Sequence, residues 1–199
     1  MEHSNLLEQW ERKIWQNMPE PAAGMLLVAN PFMQDPNFRR MVVLLVEHGP
    51  DGSLGYVLNR PLDAYIPQLV DQLDGFRAPL LWGGPVAPDT LHFLHRYSPG
   101  INGSETICPG LWWSGSFDQL VQMARGGRLL AEDFHFYLGY SGWAPGQLQQ
   151  EQGHRSWLVT PATRELAWLE PANCWVQVVQ QMGGPSRLMA HFPADPGLN

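Results

Sequence analysis

Three places in this sequence carry residue types and spacings that could do chemistry. In Gly139-Tyr140-Ser141-Gly142 a serine sits between glycines where a strand pattern gives way to a helix pattern. A nucleophile elbow exposes its serine in that setting, but the elbow is G-x-S-x-G and position 143 is Trp. The stretch therefore reads as a glycine turn feeding a helix. His92 and His95 stand three apart in a chain with seven histidines, none in an HExxH or zinc-type Cys/His spacing. On a strand they point to opposite faces, which predicts a surface His92 and a hydrogen-bonded His95 and no metal. Gly83-Gly84-Pro85 could turn backbone N–H groups toward an anion. It lacks the lysine of a phosphate loop and the third glycine of a dinucleotide fingerprint, and reads as a tight turn. No catalytic residue, metal ligand or cofactor follows from any of the three.

Composition and charge narrow the remaining classes. The 199 residues fit one domain, and 44% of them are apolar, which excludes disorder. The 20 glycines and 18 prolines exceed the roughly 12% the two types usually total, so the elements should be short, with many turns and a sheet-rich core. Against 19 acidic residues stand 12 basic ones, for a net charge of −7. A nucleic-acid binder normally shows the opposite balance or a dense basic stripe, and nine tryptophans are more cheaply used in core packing than in base stacking. Two cysteines, Cys108 and Cys174, make no framework. With no basic-then-apolar leader at the N-terminus and no apolar run near the ~18 residues of a membrane span, the expected compartment is the cytoplasm.

The elements that must position any site can be drawn from periodicity. Leu7, Trp10, Ile14 and Met18 lie on one helical face; with Asn5 as cap they predict a helix over 5–17, stopped by Pro19 and Pro21. Residues 1–22 are thus an extension and linker. The stripe is too apolar for water and is expected to dock on the chain's own domain. Residues 23–184 form a single domain, and 185–199 a tail that frays. Gly24–Ala29 and Met41–Glu47 are continuous apolar runs, as in strands buried on both faces. Asp51-Gly52 turns the second of them back along Ser53–Asn59. Ile66, Leu69, Val70 and Leu73 keep helical spacing. Pro79–Trp82, Leu91–His95 and Leu111–Trp113 are strands. Ser116 and Gln119 open a helix that Gly126-Gly127 ends. Phe134–Leu138 is a strand leading into the Gly139 turn, from which a short helix carries Gln147, Leu148 and Glu151, with Pro145 in its first turn and Trp143 buried beneath. Ser156–Thr160 is a strand, and Pro171–Met182 a last helix.

Four stretches then carry a resemblance: Gly24–Ala29 with Pro31 and Asp35-Pro36-Asn37-Phe38-Arg39-Arg40 through His48; Gly55-Tyr56-Val57-Leu58-Asn59-Arg60-Pro61-Leu62; Gly83-Gly84-Pro85-Val86 with Leu94-His95; and Gly139 to Leu148 with Glu151 and Trp157. In this order and spacing they resemble the YqgE/AlgH family of small bacterial proteins over about Ala23 to Gly183. The family commonly has alanine where Ser141 stands. The resemblance implies an α+β fold whose bifurcated, mostly antiparallel sheet curls into a pseudo-barrel with helices packed outside, here with an extra N-terminal helix. It implies little chemistry: most members are described as uncharacterised, and the AlgH branch as a transcriptional regulator of alginate synthesis.

The function expected is a non-enzymatic binding or regulatory module that works through protein partners, any effect on transcription being indirect. The alternative is a small-ligand binder or enzyme with a polar pocket around Asp35, Arg39, Asn59, His95 and Glu151. With Gly83, Gly84, Tyr140, Trp143 and Gln147, these are the candidate site residues. If their side chains lie in different regions, that pocket does not exist.

Overall fold

The computed structural model describes residues 9–10, 12–97 and 100–193. Among them ten strands form one sheet: β1 (Met25–Ala29), β2 (Val42–Gly49), β3 (Gly52–Val57), β4 (Pro61–Tyr65), β5 (Pro79–Trp82), β6 (Val86–His95), β7 (Glu105–Cys108), β8 (Leu111–Trp113), β9 (Phe134–Trp143) and β10 (Trp157–Pro161). The main path runs β10-β1-β2-β3-β9-β6-β8-β7. Every pairing is antiparallel except β5 with β9. The fold is α+β, a curled, mostly antiparallel half-barrel with helices outside. Residues 9–10 and 12–15 are helical (α1); the other helices are α2 (Phe117–Arg125), α3 (Gln147–Gly153) and α4 (Pro171–Met182).

The continuous apolar runs do what their pattern requires. Leu26 and Val28 of β1 and Val42 and Leu44 of β2 face Trp175, Val178 and Val179 of α4. Leu27, Val43 and Leu45 point the other way, onto Leu148 of α3 and the indoles of Trp143 and Trp157. A second core under α2 gathers Phe93, Leu120, Met123, Phe134 and Phe136. The hairpin closes at Gly49 and Gly52, α4 has Pro171 in its first turn and Gly183 at its end, and Ser116 caps α2 by accepting from Gln119 N at 3.3 Å.

The sheet forks on β9. Its first half, Phe134–Leu138, lies between β6 and β5; its last residues, Ser141–Trp143, pair with β3. Gly139 at φ 66° makes the bend. This overturns the glycine turn expected over Gly139-Tyr140-Ser141-Gly142 as the end of the strand: the strand continues to Trp143, because the residues after the bend find a new partner strand. Ser141 is buried and donates to Gly83 O at 3.1 Å. Pro145 lies in the loop before α3, which starts at Gln147 after Gly146 in the left-handed region.

Other differences have equally local causes. The stripe at 66–73 is two 3-10 turns, Ile66–Gln68 and Asp71–Leu73, preceded by β4. An i, i+3 spacing suits a 3-10 turn as well as an α-helix, and Val70 in extended conformation separates the two. The four residues of β7 are only half-buried or exposed and carry no apolar pattern that marks a strand. The fraying expected from Pro185 is not found over residues 185–191. Gly184–His191 forms a 3-10 helix that buries Met189, and the Arg40 guanidinium stacks on Trp175 at 3.9 Å while donating to Phe192 O. α1 lies on this same surface: Ile14 is buried, and Trp10 Nε1 donates to Pro185 O at 3.0 Å. Its predicted first turn, including Leu7, falls outside the described residues.

Candidate functional site

Of the sequence candidates, the structure brings Trp143, Gln147 and Glu151 together. Glu151 Oε2 accepts from both indoles, Trp143 Nε1 at 2.9 Å and Trp157 Nε1 at 2.7 Å, and its Oε1 accepts Gln147 Nε2 at 2.9 Å. The Phe38 ring lies against both tryptophans, at 6.1 and 5.4 Å. The carboxylate is thus committed within the chain and ties α3 to β9 and β10, whose tryptophans hold the turn at 35–39 through Phe38. In that turn Asp35 Oδ1 accepts Asn37 N at 2.8 Å, and the Asp35 and Arg39 side chains are exposed. Asn59 clamps backbone, accepting from Val42 N and donating to Arg40 O, each at 2.9 Å.

The other candidates lie elsewhere. Gly83 and Gly84 are buried where the β5–β6 connection crosses β9, and present no open N–H cradle. Tyr140 meets His92 edge-on at 6.0 Å. His95 pairs with Phe134 at the start of β9, whereas Trp143 is at its end; a strand of that length spans about 30 Å. The pocket that the alternative reading placed around Asp35, Arg39, Asn59, His95 and Glu151 is therefore not formed.

A real concavity exists where no candidate was placed. A cleft of about 730 Å³ is lined by Leu69, Val70, Asp71 and Gln72 of the 3-10 region, Leu91–Phe93 of β6, Trp113–Gly115 and Phe117. It exists because β8 stops early. Ser114 N still donates to Phe93 O at 3.0 Å, but Ser114 at φ 62° and Gly115 at φ 123° carry the chain away into α2. Beyond that point, among the described residues, β6 has no neighbour on its β8 side. No residue type announces this absence of pairing, so the sequence carried no signal for it beyond the exposed end of the 66–73 stripe, Leu69 at 51%.

His95 acts on the cleft from behind. Ser104 Oγ donates its one proton to Ser114 O at 3.0 Å, so His95 Nε2, 2.9 Å away, is the donor to Ser104 Oγ. This chain pins the turn that ends β8. A Cβ on Gly115 would sit 2.6 Å from Ser104 Oγ. His92 is not the surface residue expected: it is half-buried and packs on Tyr56 at 5.2 Å. Thr90 Oγ1 gives its proton to Ala87 O at 2.7 Å, so His92 Nε2 donates to Thr90 Oγ1 at 3.0 Å. Burial lowers the His92 pKa. Both histidines spend their N–H on hydroxyls whose own protons are committed, so neither hydroxyl is activated as a nucleophile. Among the described residues no His/Cys/Asp/Glu group could hold a metal.

Buried His95 and half-buried His135, whose ring stacks on Trp168, set a pH dependence. Desolvation lowers His95 to about 4, partly opposed by the Tyr97 backbone, and lowers His135 to about 4 with help from the Arg96 charge. Each ring binds its proton less tightly folded than unfolded, so between about pH 6.5 and 4 the unfolded chain holds more protons and stability falls as pH falls. Each histidine contributes up to about 1.4 kcal/mol per pH unit in that window. Urea unfolding should show a loss of about 3 kcal/mol between pH 6.5 and 5, and His95→Asn should flatten part of that slope. Equal stability at both pH values would mean the rings are not buried neutral.

Comparison with known proteins places this architecture. The model of a family described as AlgH-like matches residues 26–187. A UPF0301 protein of Chlorobium luteolum is 41% identical over 179 residues, covering 89% of this chain and 95% of the relative. A crystal structure of a Corynebacterium diphtheriae protein matches with TM-score 0.75 at 24% identity, over 88% of this chain and 95% of that one, which concerns the fold alone. The solution structure of the AlgH protein from Pseudomonas aeruginosa matches with TM-score 0.67 at 28% identity, over 88% and 98%.

Proposed function

Because this chain belongs to the AlgH-like family, we propose that it is a non-enzymatic binding module that acts through protein partners, with the cleft beside β6 as its site. The observation that carries this reading is the cleft's composition. It exposes apolar surface at Leu69 and a carboxylate at Asp71 that makes no ion pair among the described residues, while its histidine is tied into the wall. Exposed apolar surface rimmed by polar groups is what interaction sites present. Any part in regulating transcription is indirect, in keeping with the net charge of −7. The half-buried Cys108 and buried Cys174 are both free thiols, which supports a reducing cytoplasm as the compartment. Among the described residues no helix is long and apolar enough to cross a membrane.

Capture from a native lysate tests the reading. Wild type and Leu188→Glu, a control at a 56% exposed residue on the far 3-10 helix, should retain the same partner. Leu69→Glu should lose it by about tenfold or more, as expected for an anchor worth over ~1.4 kcal/mol. If all three variants capture the same proteins, or none captures any, the cleft is not a partner site. The second reading, a small-ligand site, has the volume in its favour, since about 730 Å³ lies within the roughly 300–1,000 Å³ of ligand pockets. A metabolite that raises the melting temperature of wild type but not of Leu69→Glu would favour it.

A further inference from the structure

We propose that the occupant of the cleft is an extended peptide segment that adds to β6 as one more antiparallel strand, in the line that β8 leaves at Ser114, with a basic side chain for Asp71. The inference deepens the binding-module reading and rests on it.

The first support is the direction of the β6 peptide groups. In an antiparallel ladder, alternate residues turn both N–H and C=O to the same neighbour. Phe93 O accepts Ser114 N, so Phe93 faces the β8 side. Gly83 N donates to Leu138 O, which turns Leu138 toward β5 and its neighbour Tyr137 toward β6, where it is paired with His92. His92 thus faces β9, and Leu91, two residues before Phe93, faces the cleft. Its N–H and C=O open onto a place where the next strand would lie. Natural sheets usually cover or blunt such edges; here the edge is left inside a concavity.

The second support is that the slot has two side walls. Val70, Leu91 and Phe117 belong to the second core under α2, whereas Trp113 belongs to the first core and His92 packs on Tyr56 of that core. A strand sends successive side chains to opposite faces, so a peptide lying between these walls would present one set to each. Main-chain bonds to an edge with side-chain pockets on both sides is how strand addition obtains affinity and specificity. The third support is charge. Among the described residues Asp71 is the one charged residue lining the cleft, and it makes no ion pair. The complementary group is a lysine or arginine of the peptide.

The test uses the full chain and a pool of acetylated, amidated hexapeptides with lysine at one end and valine, threonine and leucine randomised over the rest. In the free protein, the Leu91 amide should exchange with solvent much faster than that of His92. Saturating pool should slow Leu91 exchange by about tenfold or more, since an amide in a strand ladder exchanges only by opening. Asp71→Asn should weaken binding about threefold, the size of an exposed ion pair, and reduce its salt dependence. A pool N-methylated at every amide between its residues, and so at every amide that could face β6, should not bind. No binding of the pool, binding that leaves the Leu91 amide unprotected, or equal binding of the N-methylated pool would each overturn strand addition. If partner capture still depends on Leu69 in any of those cases, the binding-module reading stands without it. If capture is also lost as evidence, both fall together.

Discussion

Gly84→Ala is expected to leave little or no native protein. A Cβ at position 84 would lie 2.2 Å from Tyr140 O and 2.3 Å from Ser141 N, both backbone atoms of a buried strand, at a φ of +156°. Neither side can give. The β9 backbone is held by pairing to β3 and β6. On the other side Gly83 N donates to Leu138 O at 2.8 Å, and Gly83 O accepts Val57 N at 2.9 Å. The crossing is interlocked: a Cβ on Gly83 would meet Gly139 O at 2.2 Å, and one on Gly139 would meet Gly84 O at 2.7 Å. Separating the two backbones would break the junction at which the sheet forks. The cost should exceed ~4 kcal/mol, the exceptional end of single substitutions, against a total of roughly 5–15 kcal/mol for a domain. Gly153→Ala is the control: nothing lies within 4 Å of its Cβ, and alanine at this helical position should be neutral or stabilising by up to ~1 kcal/mol. Circular dichroism and urea unfolding of the two variants decide it. A folded Gly84→Ala protein with a loss under about 1 kcal/mol would show that the strands do not approach so closely.

Trp143→Ala should cost about 3–5 kcal/mol, the usual range for a buried large aromatic. Trp143 is 5% exposed and holds three things at once: the Phe38 ring, the Trp157 ring at 6.0 Å, and Glu151 through its indole N–H. The loss should appear first in the turn at 35–39, whose only ring contact with this cluster is through Phe38. Glu151→Ala leaves the rings but removes the acceptor of two indole N–H groups, and each donor left unsatisfied costs about 1–3 kcal/mol. Glu151→Gln keeps one acceptor oxygen and should cost less than Glu151→Ala. Denaturant unfolding of the three variants gives the ranking. A loss below about 1 kcal/mol for Trp143→Ala would mean that the ring is not buried, and these motif residues would then need a binding role.

Several elements were legible from local or periodic signals, though the periodic stripe at 66–73 proved to be two 3-10 turns and the glycines at 139–142 a strand with one bend. Met41–Glu47 could only be a strand with both faces covered, Pro171–Met182 could only be a helix between its proline and glycine, and Asp51-Gly52 could only return the chain. The four motif stretches identified the family because their order survives whatever packs around them. Tertiary structure alone decided how these pieces meet. Gly83, Gly84 and Gly139 each look like a turn residue, since glycine is chosen both for turns and for close approach of backbones, and only the crossing strand tells the two apart. Glu151 looks like a free carboxylate until two indoles from distant strands spend it. His92 and His95 were separated by strand parity, yet their partners, Thr90, Ser104 and Tyr56, depend on where the chain turns. The cleft was the least legible feature of all. It is made by a strand that ends after three residues beside one that continues, and a missing neighbour is a relation between strands that no residue on either of them encodes.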